Sequence, residues 1–250
     1  MRTYLAQMAK KALSTKRIGI IGSGSWATAL AHLFTRHDDA SECPVNWWVR
    51  RESSLSHIAK TGHNPLYLRS LSLPLDRLNM STDIQAVVDN SDIIVLAVPD
   101  TVIGKVAHGI IDKVKSGAVI FVLDGAAPFA GHLPERADIT YFMSHPCHPP
   151  IWNNENTTDE RRDYFGGISA DQGIVNVLIQ GPEEHYAVGK SVGKAIYAPV
   201  VRSHRVTLKQ FALLEPGLSE TVNGSLMKVL RMAMDEVVKK GVSYDCARDF

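Results

Sequence analysis

From Arg17 onward, short apolar runs alternate with glycine turns and stretches of helical period, the pattern of successive βαβ units. Ile18 to Ile21 predict a first strand, Ala27 to Phe34 the apolar face of a helix, and Val45 to Val49 a second strand ending at Arg50-Arg51. A polar segment with helix and turn signals, including His63-Asn64-Pro65, comes next. Thr82 to Asn90 then reads as a short helix, Asp92 to Val98 as a strand closed by Pro99-Asp100, Val102 to Val114 as helix and Ala118 to Leu123 as strand. Ile139 to Met143 is a further strand, and the functional edge of the sheet is placed after it, at residues 144–150.

Past Pro150 the chain turns Asn- and Asp-rich to Asp163, carries one more apolar segment from Ile174 to Ile179, and then becomes helical in period. Phe211, Leu214, Leu218, Val222, Leu226, Val229, Leu230, Ala233 and Val237 follow steps of three and four, so they share one face of a long helix that Pro216-Gly217 disturbs. The predicted fold is α/β. A Rossmann-type dinucleotide-binding domain over 17–144 is followed by an all-helical substrate and dimerisation domain over 145–250.

Composition narrows the function classes. The 250 residues carry 27 Lys+Arg against 26 Asp+Glu, a net charge of +1, which disfavours a nucleic-acid binder because phosphate affinity rests on many clustered cations. No apolar run approaches the ~20 residues that span a bilayer. Residues 1–16 hold Arg2, Lys10, Lys11 and Lys16 without an apolar core or cleavage site, so they read as a leader or short helix and not a secretory signal. Cys43, Cys147 and Cys246 are odd in number and lack CxxC spacing, which favours a reducing compartment and a cytoplasmic location.

Gly22-Ser23-Gly24-Ser25-Trp26-Ala27 follows a strand and opens a helix, as a GxGxxA dinucleotide fingerprint requires. Gly22 permits the tight turn, Gly24 lets a diphosphate approach the backbone, and the small Ala27 lets helix and strand pack closely. The helix N-terminus then offers free N–H groups to the phosphates. NAD-selective sites carry an acidic residue at the end of the second strand, whereas Arg50 and Arg51 stand here. They suit the 2′-phosphate of NADP, or are two solvated arginines. Val98 and Pro99 either contact the nicotinamide half of the cofactor or form a structural turn.

His145 and His148 lie in a loop with Pro146, Pro149 and Pro150. A rigid loop past a strand can fix a metal ligand or an acid/base imidazole, or carry two surface histidines. Arg202 and Arg205 form either a carboxylate clamp or a solvated face. Pro216 suits a first helical position, which would put Glu215 at a helix mouth, able to cap, to pair with a histidine or to bind a hard divalent ion.

Two resemblances cover different stretches. From about Arg17 to Asn90, GSGSWATALAHLF, VNWWVRR and GHNPLYL resemble the N-terminal part of bacterial NAD(P)-dependent glycerol-3-phosphate dehydrogenase, which implies cofactor contacts from Ser25, Trp26, Arg50 and Arg51. From about Asp92 to Phe250, LAVPDTVIGKV, DGAAPFAGHLPER, FMSHPCHPPIWN, QGPEEHY, IYAPVVRSHRVT and LLEPGLSETV resemble the D-apionate oxidoisomerases, whose C-terminal region is grouped with phosphogluconate-dehydrogenase-like domains. Members of that family continue past the stretch ending Ala247-Arg248-Asp249-Phe250, so the helical domain reads as truncated. Glycerol-3-phosphate dehydrogenases carry Lys-Gly where this chain has Asp124-Gly125-Ala126, which disfavours that substrate.

The second resemblance implies NAD-dependent oxidation of the branched sugar acid D-apionate, with rearrangement to 3-oxo-isoapionate in a homodimer. Hydride loss and skeletal migration would both be helped by a divalent ion (Zn, Mn or Mg) chelated by adjacent substrate oxygens, which is expected at His145 and Glu215 of the matching HPCHPP and LLEPGLSE segments, with His148 for proton transfer, Glu220 for a supporting bond and Arg205 for the carboxylate. The alternatives are a hydroxy-acid or glycerol-3-phosphate-type NAD(P) dehydrogenase without skeletal change, and a non-catalytic dinucleotide sensor.

Overall fold

In the computed structural model, which describes residues 15–36, 44–147, 172–198 and 200–250, the apolar runs become strands of one sheet. β1 (Ile18–Ile21), β4 (Ile93–Leu96) and β5 (Val119–Val122) are buried at every position. That is why they read as unbroken apolar runs and not as alternating ones: helices cover both faces of a parallel sheet. Each such isoleucine or valine contributes roughly 1.5–3 kcal/mol by leaving water.

The remaining strands are β2 (Val45–Trp48), β3 (Leu78–Ser81), β6 (Thr140–Pro146), β7 (Gln172–Gln180) and β8 (Val200–Arg205), in the order β3-β2-β1-β4-β5-β6-β7-β8. β1 to β6 are parallel, with β1 pairing β2 on one side (Gly19 with Asn46) and β4 on the other (Gly19 with Ile94). Strand order therefore reverses at β1, and the carboxyl ends of β1 and β4 flank the crevice where open α/β sheets bind ligands.

The helices connecting these strands follow the expected periods. In α1 (Ser25–Arg36), Ala27, Leu30, Ala31 and Phe34 stand at steps of three and four and are all buried. α2 (Glu52–Thr61) stops at Gly62, whose left-handed backbone lets its N–H reach the Ile58 carbonyl at 2.8 Å. α3 (Ile84–Asp89) is capped by Asp83, which accepts from the Gln85 N–H at 2.9 Å. α4 (Asp100–Ile110) and α5 (Ala126–Phe129) complete the parallel part.

Beyond residue 144 the structure departs from the expected all-helical texture. The sheet does not end at β6: β7 pairs with it antiparallel and β8 joins β7 in parallel. Ile174, Val175 and Val177 are buried in β7, so the apolar run noted from Ile174 to Ile179 is strand and not the start of a helical domain. α6 (His185–Ile196) packs across β6 and β7. The compact units part between Leu208 and Lys209.

The second unit is helical, as expected for the C-terminal region. α7 (Leu208–Ala212) runs into a π-helical segment (Leu213–Asn223), followed by α8 (Gly224–Lys239) and α9 (Tyr244–Asp249). Pro216 sits inside the π-helical segment and not at a first helical position. A proline there removes one backbone donor and crowds the preceding turn, and the helix answers by widening. The Thr221 hydroxyl donates to the Pro216 carbonyl across that wide turn at 2.6 Å. Glu215 accordingly lies within helix, not at its mouth.

Candidate dinucleotide-binding site

β1 delivers the chain into Gly22, whose φ of 142° lies in the region that side chains avoid. A Cβ there would fall 2.1 Å from the Ala97 carbonyl oxygen, just past β4. The Gly22 carbonyl accepts from the Trp47 indole N–H of β2 at 2.7 Å, and the Ala97 N–H donates to Ile21 at 2.9 Å. The turn is thus gripped by both neighbouring strands.

Gly24 has the opposite surroundings: a Cβ built on it meets no atom within 4 Å. Its backbone faces open space at the start of α1, whose first turn carries no acidic residue to repel an anion. Ser25 and Trp26 are exposed there, while Ala27 is fully buried and would stand 3.5 Å from a Gly22 Cβ. The three small positions do three different jobs: turn, approach and close packing.

Val98 is half-buried and Pro99 exposed, immediately past the Ala97 that borders Gly22. Pro99 precedes α4, and its carbonyl accepts from the Val102 N–H at 2.9 Å. These two residues therefore share one sheet edge with Gly22, Gly24, Ser25 and Trp26. Arg50 and Arg51 are exposed just beyond β2, where the Arg51 carbonyl accepts from the N–H groups of Ser54 and Leu55, both at 3.0 Å.

Residues that the sequence left unassigned tie this edge together. Asn64, only 2% exposed, donates to the Thr28 hydroxyl at 2.8 Å and to the Ser23 carbonyl at 3.4 Å. Its own carbonyl accepts from the N–H groups of Leu66 (3.0 Å) and Tyr67 (3.2 Å). Thr28 in turn donates its hydroxyl to the Gly24 carbonyl at 2.8 Å. Asn-Pro marked this stretch as a turn, but nothing local showed where the amide would reach.

The residues expected to carry substrate chemistry belong to separate elements of the chain. His145 is half-buried in β6, opposite Val175 of β7, with Nδ1 2.9 Å from the Pro146 carbonyl. A carbonyl only accepts, so Nδ1 carries the proton and the lone pair of the neutral ring sits on Nε2. His148 lies outside the described residues. Glu215 and Glu220 belong to the helical unit. Among the described residues, no three of His, Cys, Asp and Glu stand close enough to hold a metal ion.

Arg205 already has an internal carboxylate. Its guanidinium forms a two-pronged bond with Glu183, at 2.7 Å through Nη2 and a second through Nη1, and lies 4.3 Å from the centre of the Tyr186 ring. Hydrogen bonding to Arg205 holds the Glu183 carboxyl below the ordinary glutamate range. Arg202 and Arg205 are three apart on one strand, opposite Gly173 and Asn176, so they face opposite sides and cannot clamp one carboxylate together. Asp124 accepts from the Ala126 N–H at 2.6 Å, just ahead of α5.

The chain is similar to known proteins along most of its length. A model of the NAD-dependent glycerol-3-phosphate dehydrogenase N-terminus covers residues 17–125, and one of the phosphogluconate dehydrogenase (decarboxylating) C-terminus covers 153–250. The chain is 59% identical over 162 residues to a D-apionate oxidoisomerase of Rhizobium rhizogenes, a match taking in 65% of this chain and 59% of that protein. It is 41% identical over 86 residues to a glycerol-3-phosphate dehydrogenase [NAD(P)+] of Xanthomonas oryzae pv. oryzae, 34% of this chain and 24% of that protein. Among solved structures, a semialdehyde dehydrogenase NAD-binding protein from Cupriavidus necator, in complex with calcium and NAD, superposes with a TM-score of 0.74 at 42% identity. That likeness covers 94% of this chain and 79% of the other. The chain spans less than two thirds of the length of the curated relatives it matches.

Proposed function

We propose that the chain, 59% identical over 162 residues to a D-apionate oxidoisomerase, oxidises D-apionate with NAD and rearranges the product to 3-oxo-isoapionate. The observation that carries the cofactor half is the glycine turn: Gly22 is closed against Ala97 while Gly24 lies open at a helix N-terminus. A dinucleotide diphosphate fits that arrangement of one filled and one vacant Cβ position. NAD accepts hydride from the carbinol carbon when bound; the chain's part is to orient the two and to take the hydroxyl proton. His148 is proposed to take that proton, and Glu220 to lend a supporting hydrogen bond.

Arg205 is proposed to bind the substrate carboxylate, a role in which the substrate would displace Glu183 from the guanidinium. The divalent ion is proposed at His145 and Glu215. A ring whose Nδ1 proton is held by a carbonyl has its ligating lone pair on Nε2, the usual arrangement of a metal-bound histidine, and the Cupriavidus protein was solved with calcium as well as NAD. When bound, such an ion would offset negative charge on a substrate oxygen. The exposed apolar stripe of α8, with Leu226, Val229, Leu230 and Val237, supports a homodimer. Arg50 and Arg51 favour NADP as an alternative cofactor, since both guanidiniums are exposed where a 2′-phosphate would lie.

The test is incubation with D-apionate and either NAD or NADP, with and without a divalent ion, followed by identification of the product. Rearranged 3-oxo-isoapionate supports the proposal. An unrearranged oxo acid would reduce it to a plain dehydrogenase, and cofactor binding without turnover would leave a dinucleotide sensor. Loss of bound metal in His145→Ala and Glu215→Ala, measured by elemental analysis, is expected; unchanged metal content and turnover would remove the ion from these residues.

A further inference from the structure

We propose that Asn64 is a positioning residue for the dinucleotide, acting through Thr28 to set the backbone that receives the diphosphate. This rests on the cofactor reading above. An asparagine amide offers two N–H donors and an oxygen with two lone pairs, and Asn64 uses both ends: Thr28 and Ser23 on one side, Leu66 and Tyr67 on the other. An amide 2% exposed would be costly without those bonds.

The bonds run in one direction. The Asn64 amide donates to the Thr28 hydroxyl, and that hydroxyl donates to the Gly24 carbonyl, so each bond polarises the next. Thr28 also donates its backbone N–H to the same carbonyl at 3.0 Å. In a planar trans peptide the C=O and the following N–H point opposite ways. Pinning the Gly24 oxygen inward therefore turns the Ser25 N–H outward, toward the open space beside Gly24.

The other end of Asn64 registers a loop against this turn. The loop from Gly62 to Leu73 closes on itself, with the Leu73 N–H donating to the Gly62 carbonyl at 2.9 Å. Leu68 holds a left-handed φ of 47° inside it, a cost that persists only where surrounding contacts fix the backbone. Asn64 is thus the link through which the conformation of this loop and that of the diphosphate turn depend on each other.

The experiment measures NADH affinity by titration calorimetry and thermal stability in parallel, on the full chain. Asn64→Ser keeps a hydroxyl that can hold the Leu66 and Tyr67 N–H groups but is too short to reach Thr28. Thr28→Val removes the hydroxyl while keeping shape, and Thr28→Ser retains it. Asn64→Ser and Thr28→Val are each expected to weaken NADH binding by about tenfold, roughly 1.4 kcal/mol. The double variant should bind no more weakly than the worse single one, because both cut one chain of bonds. Thr28→Ser should bind like the parent. A lowered melting temperature with unchanged NADH affinity in Asn64→Ser and Thr28→Val would reduce Asn64 to a scaffold residue and overturn the proposal. Fully additive losses would overturn the route through Thr28. A parent chain that binds no NADH would overturn the cofactor reading itself, and this inference with it.

Discussion

Replacing each glycine of the nucleotide turn by alanine should separate stability from binding. In Gly22→Ala the new methyl meets the Ala97 carbonyl oxygen at 2.1 Å on a backbone with φ of 142°. The unfavourable backbone costs about 1–3 kcal/mol, and forcing a methyl into filled space costs about 1–3 kcal/mol more. At roughly 2–4 °C per kcal/mol for a chain of this size, the melting temperature should fall by about 5–20 °C. In Gly24→Ala the methyl meets nothing within 4 Å. Stability should then be unchanged or slightly raised, since alanine restricts the unfolded chain by about 0.4–1 kcal/mol. Its methyl does occupy the space a diphosphate needs, so NADH affinity should drop at least about tenfold, or 1.4 kcal/mol. Differential scanning fluorimetry and NADH titration on the two variants check both halves. A Gly24→Ala variant that melts as early as Gly22→Ala, or that binds NADH like the parent, would refute the reasoning.

Two further predictions concern the scaffold. Burial pushes the Asp92 carboxyl up, but hydrogen bonds and charge from Arg17, with the charge of Lys115 added, outweigh it and hold the carboxyl below the ordinary aspartate range. A folded-state value below the unfolded one means that its contribution is present above about pH 3.9 and fades as pH falls through the folded value. Asp92→Asn should therefore cost about 1 kcal/mol at pH 7, the pair being partly screened by solvent, and should flatten the acid limb of the melting-temperature profile; an unaltered acid limb would exclude Asp92 as its source. On α6, a Gly193 Cβ would lie 2.4 Å from the Ser144 hydroxyl and 2.8 Å from its Cβ, so Gly193→Ala should destabilise by about 1–3 kcal/mol. Ser144→Ala should be neutral or mildly stabilising and should recover part of that loss in the double variant, because the Ser144 hydroxyl is buried with no hydrogen-bond partner among the described residues.

What could be read from the sequence divides along physical lines. β1, β4 and β5 were legible because a strand buried on both faces must be apolar throughout, and the glycine turn was legible because Gly22, Gly24 and Ala27 are each required by a steric need. β3 was not: Leu-Asn-Met-Ser has one buried residue in four, too little pattern to signal a strand. β8 was missed for a related reason, since Val-Val-Arg-Ser-His-Arg has no buried position at all and its polar residues read as a surface cluster. Once β8 was unseen, the apolar run of β7 had no visible neighbour to pair with. Asn64 escaped because its partners lie about forty positions away, at Ser23 and Thr28, and no local pattern encodes such a reach. Pro216 visibly interrupts the helical period, but whether a proline starts a helix or widens one depends on the turn before it.

The composition of β8 also bears on the protein's solubility. It is the last strand of the described sheet, so one row of its backbone donors and acceptors has no neighbouring strand there. Such a row is a template on which an unrelated chain can extend the sheet, leading to aggregates. Arg202, His204 and Arg205 are exposed along it, beside an exposed Val201. An incoming strand would have to strip water from the Arg202 guanidinium and accommodate its charge, a penalty that an apolar edge would not impose. The same polar letters that hid β8 from pattern recognition thus guard the sheet against unwanted growth.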